Sequence, residues 1–599
     1  MIIMSEKDIS WDLSEIFKGP DDPQINEAIT DVEKRSEEFF TKYKEKIIFP
    51  DFRFEDLLEL IQDQEKFYAD LFEISQYARL SFSGNMTVSE FRKLNNRAQE
   101  FSAKIRKKLA FLEIDVGKYV YENQSIVKDS RFENYKHYLE NIIRSFPHKL
   151  SEIEEQIIID KDQHGVVGWQ DLQSKWLNTR MFDVEVEGEM KQLAYGEANS
   201  LLSHTDKATR ISANKAIYGL LGEDQELFSS AMHHICGDWV KISKRRNYDS
   251  PMHQSLIAND VDQQTIDNLM KVVDEYSKLY RRYLKLKAKL LGLPKLGCED
   301  IVAPFPDVPD MKYTWEDAQE LILEAYGKFD EDFLSVAKDM FERNHIDASP
   351  RFGKCNGAFC STWYNGKTSY ILQTFSGALS NVYTLSHEMG HAVHGYLVTR
   401  EQSLGNTQYP MVIAEVASIF GELLLTDLLL SRAETKEEKK AILGRVLDGA
   451  GMATFQVSAR VWFEQSMYDT IEKGQLLDGK TISKLWTTAR DRIYGDAVEW
   501  FEEMDWEWTM KPHYYRSNFR FYNYPYVFAQ MFVYALYQLY LEEGESFIPK
   551  LKAILKAGSS KSPKEFGESM GLDITKPDFW KLGMKQYERF IDKLEKIVS

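Results

Sequence analysis

Three stretches of this chain, 56–80, 88–116 and 263–291, repeat apolar residues at three- and four-residue spacing with charged residues between them. That period belongs to the α-helix, and helices of this length hide an apolar stripe only by packing on one another. The third stretch ends in Lys and Arg and stops at Gly292-Leu293-Pro294, a helix terminus by composition. Residues 579–598 repeat the theme. The expected fold is therefore mainly α. One departure is expected: Tyr370 to Phe375, bounded by Gly366 and Gly377, reads as a strand of a small sheet near 350–376, with an exposed edge able to pair with an extended peptide. No Pro/Gly/Ser-rich linker divides the 599 residues, and the proline cluster of 303–309 reads as a loop between helices.

Within this helical background lies Ser386-His387-Glu388-Met389-Gly390-His391-Ala392, an H-E-x-x-H pattern. Positions i and i+4 share one helix face, so His387 and His391 can grip one metal ion, while Glu388 projects beside it, where it can take a proton from a metal-bound water. Leu379, Val382, Tyr383, Met389, Val393, Tyr396 and Leu397 form an apolar stripe off that face, so one side packs and the other presents ligands. Gly390 and Gly395 are poor helix formers and suggest close approach of other backbone. His394 reads as a packing or supporting residue rather than a ligand.

Catalytic zinc takes three protein ligands and keeps one position open. A metzincin would place a histidine six residues after the second one. Leu397 stands there, which excludes that class. A gluzincin draws a glutamate from a following helix, and Glu415, after Pro410 and amid Val412, Val416, Ile419 and Phe420, fits. A carboxylate among such residues is costly to bury unless it has a partner. The plain reading of Glu415 is a solvated helix residue. Glu422, seven residues on, is placed to orient a ligand histidine. Further along, 511–526 brings together His513 and the tyrosines Tyr514, Tyr515, Tyr522, Tyr524 and Tyr526. These are donors able to steady an oxyanion, or equally buried core aromatics.

The motif with Gly390 and His394, followed by Glu415-Val416-Ala417-Ser418, resembles the oligoendopeptidase F and thimet oligopeptidase family of zinc peptidases. Trp11-Asp12-Leu13-Ser14, Gly357-Ala358-Phe359-Cys360 and the Tyr-rich segment bring it nearer the oligoendopeptidase F branch. The resemblance implies two helical lobes around a deep substrate channel, with a small β-sheet beside a gluzincin-type zinc helix. It divides the chain into an N-terminal helical domain, 1–205, and a catalytic domain, 206–599. It implies one Zn2+ held by His387, His391 and Glu415, with Glu388 as general base. His513 would contact the tetrahedral intermediate and Tyr526 the oxyanion, with Tyr522 and Tyr524 as neighbours. The expected activity is internal cleavage of short, unstructured peptides. Alternatives are a zinc carboxypeptidase or aminopeptidase on a similar scaffold, or a helical binding protein with structural zinc.

The net charge of -19 argues against nucleic acid as a partner. No apolar run of 18 residues suggests a membrane span, and the first residues lack a secretory pattern, so the cytosol is expected. Four cysteines are too few for a disulfide scaffold. Nothing in the sequence implies an oligomer.

Overall fold

The computed structural model describes residues 8–366 and 368–599. It is mainly helical with small sheets. The helical pattern of 56–80 extends to Phe54–Gly84, and that of 263–291 forms Gln263–Leu290, capped by Asp262, whose side chain accepts from Thr265 N–H. Its end is fixed by Gly292 at φ 70°, a conformation that side chains disfavour. The single helix expected over 88–116 is two, Ser89–Lys108 and Phe111–Glu122. The apolar pattern runs through the break because Leu109 and Leu112 are both buried, so the chain turns without leaving the core.

Among the described residues, seven short strands are present. β1 (Met181–Val186) and β2 (Glu189–Ala194) form an antiparallel hairpin that sequence reading missed. Phe182 and Val184 point inward, and the turn places Glu187 (φ 52°) and Gly188 (φ 87°) in the left-handed region. A glutamate there is no turn signal. β3 (Leu296–Gly297) pairs in parallel with β7 (Val498–Glu499). The third sheet comprises β4 (Ile346–Asp347), β5 (Phe359–Ser361) and β6 (Tyr370–Leu372), in the order β4-β6-β5. This order corrects the expectation for Tyr370 to Phe375. β6 is three residues long, fully buried and central, with β4 parallel on one side and β5 antiparallel on the other. The outer strands are β4 and β5.

The chain forms two compact units, each assembled from three segments. The first takes 1–146, 310–432 and 539–572. Its core joins residues between Ile16 and Leu139 to Trp363 and Tyr370 of the β5–β6 region. The second takes 147–309, 433–538 and 573–599. There Tyr280 stacks on Phe455 (5.1 Å, 7°), and Lys287 is buried with its ammonium 2.8 Å from Asp448. These units and the division at 205/206 are different partitions of the chain. All four cysteines are unpaired. Among the described residues no helix is long and apolar enough to cross a membrane.

Candidate metal and catalytic site

His387, Glu388 and His391 lie on the helix Leu379–Glu401 in the first unit. Its start is set by Asn381, whose carbonyl oxygen accepts from the N–H groups of Ser376 and Ala378. One face is packed: Val382, Tyr383, Met389, Val393 and Leu397 are buried. The next segment departs slightly from expectation. Pro410 opens only a single turn, Met411–Ala414, and Glu415 sits at the joint before Val416–Arg432 rather than inside a continuous helix. There its Oε2 is fixed by Ser418 Oγ–H at 2.7 Å.

Gly390 explains how the two elements meet. A Cβ on it would lie 2.4 Å from Ala417 O and 2.5 Å from Ser418 Cα, so only glycine lets the second helix backbone come this close. Gly395 is different: a Cβ there would crowd the side chains of Thr362 and Ser369 rather than backbone. Between the helices, Glu415 Oε2 stands 3.2 Å from His387 Nε2 and 3.5 Å from His391 Nε2. One ligand atom from each of the three lies within 4.8 Å of the others. His387 Nδ1–H donates to Glu422 Oε1 at 2.6 Å, which leaves Nε2 with its lone pair toward Glu415. Two imidazoles, one carboxylate and a second carboxylate steadying an imidazole fit a divalent zinc ion with a position left open.

Glu388 is buried beside this group. Burial pushes its carboxyl up to about 7, against the pull of His387 and, more weakly, of the Cys360 backbone on β5. Glu415 goes the other way. Burial would raise it, but the hydrogen bond to His387 and the nearby His391 hold it at about 2. His394 is buried with neither ring nitrogen hydrogen-bonded and stacks flat on Tyr409 (4.0 Å, 4°). It packs, as expected. The role of the Cys360 backbone left no mark in the sequence, because any residue supplies the same N–H.

His513, Tyr522 and Tyr526 come together in the second unit. The rings of His513 and Tyr522 are 5.3 Å apart, and those of Tyr522 and Tyr526 5.7 Å. Burial, then Arg516, Arg460 and Lys511, draw the His513 imidazole down to about 4. Tyr526 is 39% exposed. Tyr524 differs: it is buried and its hydroxyl donates to Ser255 O at 2.9 Å and lies 3.1 Å from Asn259 Nδ2. That ties it to the core of its own unit. Tyr514 and Tyr515 are likewise buried.

A histidine pair, a carboxylate and a buried glutamate on adjoining elements suit metal-assisted hydrolysis. Residues 200–586 match the model of peptidase family M3, and 122–178 match that of oligopeptidase F. The chain belongs to peptidase family M3. It is 26% identical over 595 residues to oligopeptidase PepF of Bacillus subtilis, covering 98% of this chain and 87% of that one. It is 25% identical over 608 residues to an oligoendopeptidase F homolog of Lactococcus lactis, covering 99% and 97%. Its fold matches the crystal structure of oligoendopeptidase-F from Enterococcus faecium, with TM-score 0.69, 24% identity and coverage of 96% and 99%.

Proposed function

We propose that this peptidase is a zinc-dependent oligoendopeptidase that cuts internal bonds of short, unstructured peptides. The observation that carries this reading is the convergence of His387 Nε2, His391 Nε2 and Glu415 Oε2, with the Glu388 carboxylate beside them. These three side chains would hold one zinc ion. Bound there, zinc supplies Lewis acidity, polarising a peptide carbonyl and lowering the pKa of water to about 7. Glu388 takes the proton of the attacking water and returns it to the departing amine. The Cys360 backbone lies near the Glu388 carboxylate, and Glu422 holds the His387 ring and its tautomer.

His513 and Tyr526, with Tyr522 beside them, are proposed as donors to the oxyanion. The family resemblance and the row they form within the second unit support this. The four unpaired cysteines support a cytosolic setting. The test is mass spectrometry of products from peptides blocked at both ends, with and without a chelator. Internal cuts that stop on chelation and return with zinc are expected. Release of single terminal residues from unblocked peptides only, or chelator-resistant cleavage, would overturn the reading.

A further inference from the structure

A cavity of about 620 Å³ opens within the first unit, and His387, Glu388, His391 and Glu415 are not among its lining residues. Its walls come from the helices Phe54–Gly84 and Ser89–Lys108, the chain leaving β5, and residues 404–409. Tyr68, Phe72, Trp363 and Tyr409 make it aromatic, and its charged residues are Glu73, Arg79 and Arg106. The acid is already engaged, since Trp363 Nε1–H donates to Glu73 Oε2 at 2.7 Å. The two bases have no acidic partner among the described residues. Arg79 donates from Nη2 to Ser361 Oγ at 2.7 Å and lies over the Phe359 ring at 5.1 Å. Among the described residues, neither Arg79 nor Arg106 has a carboxylate within ion-pair distance. Desolvation by its neighbours draws the Arg79 guanidinium below its ordinary pKa, although the residue is exposed. Both guanidinium groups are exposed to solvent on one concave wall and lack an ion-pair partner among the described residues, which leaves them open to an anion from outside.

The position of Arg79 says which anion. β5 is one of the two outer strands of its sheet, and the backbone of Cys360 within it lies near enough to Glu388 to lower its pKa. The following residue, Ser361, carries Arg79. An extended peptide laid along β5 advances about 3.3 Å per residue, so a group reaching Arg79 belongs to a residue within two or three of the bond that Glu388 addresses. Pairing along β5 also stops here. Gln76 Nε2 donates to Ser361 O (3.3 Å) and Thr362 O (2.9 Å), so both carbonyls are already engaged where β5 ends and the cavity begins. We propose that this cavity holds a carboxylate of the substrate peptide, gripped by Arg79 and Arg106, and so selects where the chain is cut.

This proposal rests on Glu388 marking the cleavage point. The carboxylate is an Asp or Glu side chain or the free C-terminus of the peptide. The test uses the zinc-loaded full chain and a peptide blocked at both ends, cut at one known bond. Glutamate replaces alanine at each of three positions on either side of that bond, and a separate arm frees the C-terminal carboxyl. One or more carboxylate-bearing peptides should exceed the neutral parent in kcat/KM by about tenfold or more, mainly through KM. Preference for a glutamate position assigns a side chain, and preference for the free acid assigns the terminus. Arg79→Gln and Arg106→Gln should each cut the carboxylate-to-neutral ratio at least fivefold; the second variant stands in if the first disturbs β5. Binding of the same peptides to Glu388→Gln, read by fluorescence anisotropy, should show the same order, so the proposal is tested even if hydrolysis is not seen. Equal treatment of neutral and carboxylate peptides by the parent chain, or a preference that survives both arginine substitutions, would overturn it.

Discussion

Glu422 is not one of the three proposed ligands, yet its 2.6 Å hydrogen bond decides which nitrogen of His387 is left for the metal. Glu422→Ala should weaken zinc affinity by about 10–100-fold while leaving three ligands in place, measured by competition with a chromogenic chelator. Unchanged affinity would show that the ring is held by packing alone. Glu464 offers a different residue-scale test, in the second unit. It is buried, accepts from Phe521 N–H (2.8 Å) and Asn523 Nδ2–H (3.2 Å), and burial pushes its carboxyl from 4.5 to about 7. A raised folded pKa gives stability that is fully present below 4.5 and lost as pH rises through 7. Over that window the loss is on the order of 3 kcal/mol. The melting temperature of Glu464→Gln, minus that of the parent, should therefore rise from pH 4.5 to 7.5; parallel curves would contradict this. That His387, His391 and Glu415 would come together was legible from sequence because H-E-x-x-H is local and Glu415 stood among apolar residues. The tyrosines were not separable, since what removes Tyr524 is its contact with Ser255 and Asn259, about 265 residues away.

At the scale of elements, the candidate site exists because two helices touch at a glycine. Gly390→Ala would force the Ala417–Ser418 backbone away and, with it, Glu415 and Glu422 from the histidines. The expected cost is about 1–3 kcal/mol in stability together with weakened zinc binding, measured by thermal melts and metal titration. A variant that melts and binds zinc as the parent does would contradict the close approach. Glycine in a helix signalled this in advance, because it costs helix stability and needs another reason to be there. The sheet was less legible. The run Tyr370 to Leu372 reads as a strand from its own residues, but whether a strand is central or at an edge depends on partners far along the chain. That is why β6 was expected at the edge and β5 was not.

At the scale of the whole molecule, the long helices were legible from periodicity, whereas the interleaving of three segments into each unit was not, since it rests on contacts hundreds of residues apart. Trp363 and Tyr370 share one core with residues from Ile16 to Leu139. A fragment of 206–599 should therefore expose them, aggregate and lack activity, as read by size-exclusion chromatography and peptide cleavage. A soluble, active fragment would show that the catalytic sheet stands without that core. The central claim is that a zinc ion held by His387, His391 and Glu415 works with Glu388 as the base. Its most direct test is Glu388→Gln, with zinc content and hydrolysis of one blocked peptide measured on the same preparation. The account predicts one zinc per chain, as in the parent, with turnover lowered by about 10²–10⁴. Near-normal turnover with zinc bound, or a parent chain that cuts the peptide without zinc, would contradict it.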